Sequence, residues 1–277
     1  VVGTCVPKET TAREMAELMV GKVLHQTKSG EHDAGDVVLK MESLSLPSST
    51  PFGTSLQNVS LELRRGEILG IGGVAGNGQD ELLATLSGET KVSSDVIKFE
   101  NREFGQLGPN ERREMGLLSA PEERLGHAAA PDMSLTENAL LTGVVRQELA
   151  AHRFINWAKT KTFAETVIET FDVRTAGPTN AARSLSGGNL QKFVIGREVL
   201  QSPEVLVVNQ PTWGVDAAAA ASIRQALMDL ASKGAGVIII SQDLDELMEV
   251  ADRFCALNAG RLSASRPSKD LTVDEVG

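Results

Sequence analysis

The sequence predicts an α/β fold: a largely parallel sheet, a smaller antiparallel β part and an inserted helical subdomain. Three observations carry this. Short apolar runs at residues 67–71, 205–208 and 237–240 alternate with helical patterns, the order that builds a parallel sheet. Residues 37–46 and 56–63 instead alternate apolar with polar, as antiparallel strands with one buried face do. Residues 121–182 carry two amphipathic helical stretches between the β segments.

In chain order, residues 1–6 read as the end of a strand. Thr11-Ala-Arg-Glu14 is a capping box, and the helix behind it runs to Val20 and closes at Gly21. Residues 22–36 are polar, with Ser-Gly and Gly-Asp pairs, and read as a linker. Pro47-Ser-Ser-Thr-Pro51 separates the two alternating stretches. The strand at 67–71 runs into a glycine loop, and Leu82, Leu83 and Leu86 mark a helix that stops at Gly88. A short strand follows at 96–99, a helix from Pro109 and a strand at 116–120. Ser134-Leu-Thr-Glu137 is a second capping box, and its helix is expected to run towards Ala150. Trp157, Ala164, Val167, Ile168 and Phe171 trace the next helix. Leu190, Phe193, Val194 and Leu200 share one face of another. Strands at 205–208, 237–240 and 253–257 then alternate with helices at 217–231 and 243–251. A turn at 258–260 leads to Leu262 and a polar tail from 263.

The length of 277 residues suits one large domain or two modest ones. A net charge of −10 weighs against a nucleic-acid surface, and the absence of Tyr removes the usual base-stacking platforms. Cys5 and Cys255 have no metal spacing and form no disulfide framework, so a reducing interior is the simpler setting. His25, His32, His127 and His152 are scattered without ligand spacing. The longest apolar runs are strand-length, too short to span a bilayer.

Two glycine-bearing segments carry chemistry. In Arg183-Ser-Leu-Ser-Gly-Gly-Asn-Leu-Gln-Lys192, two glycines follow Ser186 and an apolar helix follows them. A hydroxyl, bare backbone N–H groups and a helix N-terminus at one place make an anion site, phosphate being the usual guest. On the glycines alone, a plain turn before a core helix explains the segment as well. The second segment, Gly73-Val-Ala-Gly-Asn-Gly78, lies between a strand and a helix, the setting a phosphate loop needs.

The spelling of the whole set decides between these readings. Leu185-Ser-Gly-Gly-Asn-Leu-Gln191 resembles the signature motif of ATP-binding cassette (ABC) proteins. Val205-Leu-Val-Val-Asn-Gln-Pro-Thr212 is similar to that family's Walker B strand, Gly214-Val-Asp216 to its D-loop and residues 73–78 to its phosphate loop. Ser241-Gln-Asp243 occupies the switch-histidine segment. The resemblance covers residues 37–262 in order and spacing. It implies an ABC-type nucleotide-binding domain, with ATP and Mg²⁺ as ligands.

Against that pattern the chain departs at Gln79, Asn209, Gln210 and Gln242, with Asp80 beside the first of them. Gln79 stands where the phosphate loop has lysine, which neutralises phosphate charge, and Asp80 stands at the Mg²⁺-binding hydroxyl. The cradle formed by Gly73, Gly76, Asn77 and Gly78 does not depend on side chains. Asp80 either holds a metal or repels nucleotide. Asn209 and Gln210 replace the Mg²⁺-orienting aspartate and the water-polarising glutamate, and neither amide is a base. Losing a general base typically costs about 10²–10⁴ in rate. Gln242 replaces the switch histidine. Glu122 falls near the place of the Q-loop glutamine, the family's coupling loop to its permease; a solvated Glu122-Glu-Arg124 loop is the plain alternative. Trp213 and Phe52 are either adenine neighbours or ordinary packing.

The signature, by contrast, is complete at Ser186, Gly187, Gly188 and Gln191. In the family, cassettes pair head to tail, each ATP lying between one phosphate loop and the other cassette's signature. The resemblance therefore implies a degenerate second cassette of a tandem importer ATPase for monosaccharides or nucleosides. Residues 1–21 would be the tail of a first cassette, and Asp216 would lie at the seam. The Asn-Gln-Pro-Thr stretch and Phe193-Val-Ile-Gly-Arg197 lean towards nucleosides. The implied partners are that first cassette, transmembrane permease subunits and, indirectly, an extracytoplasmic solute-binding protein, at the cytoplasmic face of the membrane. A fully catalytic ATPase with another base, and a nucleotide-free docking module, are the rival readings.

Overall fold

The alternation along residues 37–64 folds as a twisted antiparallel layer. β1 (Val37–Leu46) pairs with β2 (Leu56–Arg64), placing Leu39 opposite Leu63 and Met41 opposite Leu61. The structure is a computed structural model and describes residues 35–48, 51 and 53–271. The capping box at Thr11, its helix, most of the 22–36 linker and Phe52 lie outside the described residues.

β3 (Ile68–Gly72) is followed by α1 (Gln79–Ser87), which stops at Gly88 in the left-handed region. β4 (Ile97–Phe99) and β5 (Arg102–Glu103) complete the antiparallel layer in the order β2-β1-β4-β5. α2 (Pro109–Met115), β6 (Leu117–Ala120) and α3 (Leu135–Gly143) come next. The hairpin β7 (Ala150–Ala151) and β8 (Phe154–Ile155) precedes α4 (Trp157–Thr170) and α5 (Gly187–Val199). β9 (Val205–Asn209), α6 (Ala217–Ser232), β10 (Gly236–Ser241) and α7 (Leu244–Val250) return to the α/β core. β11 (Arg253–Asn258), β12 (Arg261–Leu262) and β13 (Arg266–Pro267) close it.

The large sheet runs β12-β11-β3-β10-β9-β6, with β11, β3, β10, β9 and β6 parallel. Its central strands β3, β9 and β10 are buried on both faces, which is why they read as unbroken apolar runs. Successive side chains still point to opposite faces and so divide between two cores. Val205, Val207, Ile238 and Ile240 share one core with the antiparallel layer and α1, whereas Leu206, Val208, Val237 and Ile239 share the other with α3 to α7.

Two local expectations are corrected. The helix after Ser134 ends at Gly143 rather than continuing towards Ala150, although its capping box forms as read, with the Ser134 and Glu137 N–H groups each donating to the other's side chain. A hairpin follows instead. His152 and Arg153 turn it at φ of 52° and 69°, a left-handed pair that Gly or Asn usually announces. Trp157 is 51% exposed, so it opens α4 without joining the core. Within the polar tail after Ser263, Arg266 and Pro267 pair with Phe254 and Arg253 of β11.

One buried cation anchors the phosphate-loop helix from behind. Arg112 is fully buried and donates to the carbonyls of Thr85 and Leu86 at the end of α1, and to those of Phe104, Gly105 and Leu107. The guanidinium lies 4.8 Å from the Phe104 ring centroid. Burial lowers its pKa to about 10, so it stays charged at neutral pH, where a cation favours a helix C-terminus.

Candidate functional site

β3 delivers the chain into the 73–78 loop from the middle of the sheet. Gly73 must be glycine, since a Cβ there would collide with the Leu257 carbonyl. Gly76 and Gly78 adopt φ of 82° and 109°, and Gly78 is the N-cap of α1. Asn77 is gripped from the neighbouring β11–β12 turn: its side-chain oxygen accepts from the Ala259 N–H at 2.8 Å, and its carbonyl accepts from the Gly260 N–H at 2.9 Å. Thr54 ties β2's approach to the loop, donating from Oγ1 to the Gly76 carbonyl at 2.6 Å. These contacts fix the backbone of the 73–78 loop from two sides.

Its interior is occupied by the loop's own side chain. Gln79 is 7% exposed; its Oε1 accepts from the Asn77 N–H at 2.9 Å, and its Nε2 donates to the Val74 carbonyl at 2.8 Å. Asp80 begins the helix beside it and accepts from Asn209 Nδ2 at 3.1 Å. Burial, then the neighbouring Glu81, hold the Asp80 carboxyl above its ordinary pKa.

β9 brings Asn209 and Gln210 to the same end of the sheet. Asn209 is 1% exposed, and its Oδ1 has no hydrogen-bond partner among the described residues. Gln210 is buried at φ of 51°, donates its N–H to the Ile240 carbonyl and faces the Gln242 N–H with its Oε1 at 3.5 Å. A carboxylate does lie nearby. Glu246 accepts from Thr212 Oγ1 at 2.6 Å and from Ser241 Oγ at 3.3 Å, and burial raises its pKa. It braces the turn after β9 against β10, a role its position on a helix gave no reason to expect. Within this arrangement the Asp80 carboxylate bonds to the Asn209 amide, the loop's Asn77 N–H is taken by Gln79, and two buried amides, Asn209 and Gln210, stand at the end of β9.

At the signature, Ser186 is the backbone N-cap of α5, and its hydroxyl accepts from Asn189 Nδ2 at 2.9 Å. Gly187 and Gly188 form the first turn, with Gly188 against Val215 and Asp216. Asp216 has a local duty as well: it caps α6, accepting from the Ala219 N–H at 2.9 Å. Gln191 is buried, and its Oε1 accepts from Arg124 Nε at 2.9 Å.

Arg124 is the site residue that sequence reasoning left as part of a solvated loop. It also donates to the Trp213 carbonyl, joining the start of the signature helix to the turn after β9. Nothing in its local sequence signals partners 67 and 89 residues away. Arg124, Glu122, Asp80, Gly187, Leu190 and Trp213 line one open cleft of about 810 Å³. Glu122 is exposed as a residue, but its carboxyl lies partly shielded in the cleft, and that desolvation, then the Asp80 charge, raises its pKa. Trp213 is 60% exposed. His127 lies outside any metal cluster and pairs with Glu89 at 3.1 Å; no group of three candidate ligands occurs among the described residues.

A two-layer sheet core, a glycine loop capping a central helix and a glycine-led second helix define a nucleotide-binding cassette, and the chain belongs to the ABC transporter family, whose model matches residues 56–213. It is 34% identical to a glucose import ATP-binding protein, TsgD13, of Haloferax volcanii, across the whole chain and 50% of that protein. It is 35% identical to a nucleoside import ATP-binding protein, NupA, of Lactococcus lactis, across 97% of the chain and 53% of that protein. The chain therefore spans about half the length of these curated relatives. A dimeric ATP-binding cassette solved with ADP and phosphate superposes with a TM-score of 0.70 over 83% of this chain and 98% of its own, at 19% identity, a likeness of fold alone.

Proposed function

We propose that this chain is the second, catalytically degenerate cassette of a tandem ABC importer ATPase for a monosaccharide or a nucleoside. The observation that carries the reading is the end of β9, where buried Asn209 and Gln210 offer no proton acceptor while the Ser186–Gly187–Gly188 helix start stands complete. An amide cannot take a proton from water near neutral pH, whereas a helix N-terminus still binds phosphate. This half then presents its signature to an ATP held by a first cassette, and its own 73–80 loop binds ATP and Mg²⁺ weakly or not at all. The import names of relatives matched over nearly all of the chain support the transporter class. Transmembrane permease subunits, approached through the Glu122 loop, and a solute-binding protein behind them complete the machine at the cytoplasmic face. Among the described residues no helix is long and apolar enough to cross a membrane, which fits a peripheral subunit.

The test is ATP turnover by this chain with millimolar ATP and Mg²⁺, alone and then mixed with its first cassette. The expected result is no hydrolysis above background alone, and hydrolysis on mixing. Steady turnover by the chain alone would refute the reading.

A further inference from the structure

We infer that the Gln79 carboxamide is a built-in occupant of the 73–78 loop, an autoinhibitory contact that a nucleotide's phosphate must displace. This rests on the reading of the loop as a degenerate nucleotide site and deepens it.

The chemistry of the replacement carries the inference. A lysine ammonium has three donors and no acceptor. It can bond a loop carbonyl, but it leaves every loop N–H free for an anion. A carboxamide has both kinds of atom. Here the donor end takes the Val74 carbonyl at 2.8 Å and the acceptor end takes the Asn77 N–H at 2.9 Å. Gln79 thereby spans the loop from residue 74 to residue 77 and is almost wholly buried in doing so. The Asn77 N–H is a fixed donor, because both the side chain and the carbonyl of that residue are held by the 259–260 turn. A phosphate oxygen reaching this N–H has to take the position of Gln79 Oε1. The Asn77 N–H and the Val74 carbonyl are therefore already satisfied without an anion, and the Gln79 bridge between them holds the loop's shape in a chain that lacks the phosphate's counter-charge.

The sign of one substitution separates an occupant from a ligand-binding side chain. Truncating a side chain that grips phosphate weakens binding, whereas truncating an occupant strengthens it. Calorimetric titration of the whole chain with ATP, and separately with inorganic tripolyphosphate, is compared between wild type and Gln79→Ala; alanine at a helix's first position preserves the fold. Displacing two neutral hydrogen bonds predicts about tenfold tighter binding of both probes by Gln79→Ala. In the nucleotide-free chain, hydrogen exchange at the Asn77 amide is expected to speed up about tenfold or more in the same variant. Gln79→Glu keeps the acceptor for Asn77 and adds repulsion, so the amide stays protected and both probes bind more weakly than to wild type. Weaker or equal binding by Gln79→Ala overturns the proposal, as does unchanged exchange at Asn77. Faster exchange with no binding by either protein overturns the proposal, since nothing then displaces Gln79, and leaves the degenerate-cassette reading standing with its own loop empty.

Discussion

Replacing Gly187 by aspartate is expected to lower ATP turnover by the paired cassettes about 10²-fold or more, with no loss of folding stability. The first turn of α5 offers bare N–H groups at the positive end of a helix dipole. On the proposed reading those groups meet the phosphate of an ATP held by the first cassette. Removing one preorganised donor from such a site typically costs about 10²–10³ in rate, and a carboxylate placed there adds repulsion. The fold tolerates the change. A Cβ on Gly187 would meet only the tip of Arg124, with Nη1 at 2.7 Å, and that side chain can shift. An aspartate in the first helical turn also suits the dipole and would sit beside the guanidinium. Turnover and thermal unfolding measured on the same preparation check this: the first falls, the second holds. Turnover within about twofold of wild type would mean that no phosphate meets this helix.

The second large effect is on stability. Arg197→Ala is expected to destabilise the chain by about 3–5 kcal/mol, the cost of stranding a buried charge. Arg197 is buried, donates to the Asn138 carbonyl of α3 and the Ala128 carbonyl, and lies 2.9 Å from the carboxylate of buried Glu198. Glu198 also meets Arg113 at 2.7 Å. Burial pushes the Glu198 carboxyl up, and the two arginines more than reverse this, so it lies below the ordinary carboxylate range. Truncating Arg197 leaves two carbonyls without their donor and Glu198 with one cation. For a chain of this size the loss corresponds to a fall of roughly 10 °C in melting temperature. Because Arg197 joins α5 to α3 and the 128 loop, the helical insert loosens first, and hydrogen exchange in α3 rises ahead of that in β9 and β10. A shift of less than about 1 kcal/mol would show that the network is not a structural bolt.

Local signals made most of the fold legible. Strands at 205–208 and 237–240 read as unbroken apolar runs because both faces are covered, and the Ser134–Glu137 box is a contact between near neighbours. The 150–155 hairpin was hidden because His152 and Arg153 adopt left-handed conformations without the residues that usually mark them. In the candidate site, the replacements at 79, 80, 209, 210 and 242 are read directly from the residue types. Their consequences are not. That Asn209 bonds Asp80, that Gln79 folds into its own loop and that Arg124 holds Gln191 are facts of geometry between distant or sharply turned segments. Arg197 and Arg112 likewise look like surface charges in the sequence and prove to be buried ties.

The most direct test of the proposed asymmetry is the number of ATP molecules cleaved in the first turnover by this chain joined to the first cassette that the proposal gives it. Loading with excess ATP and Mg²⁺ and rapid quenching gives the burst per tandem pair. With Asn209 and Gln210 at the end of β9 and Gln79 in the loop, the account predicts that one ATP is cleaved per pair. A burst of two would contradict it, since the second could be cleaved only at the 73–80 loop of this chain.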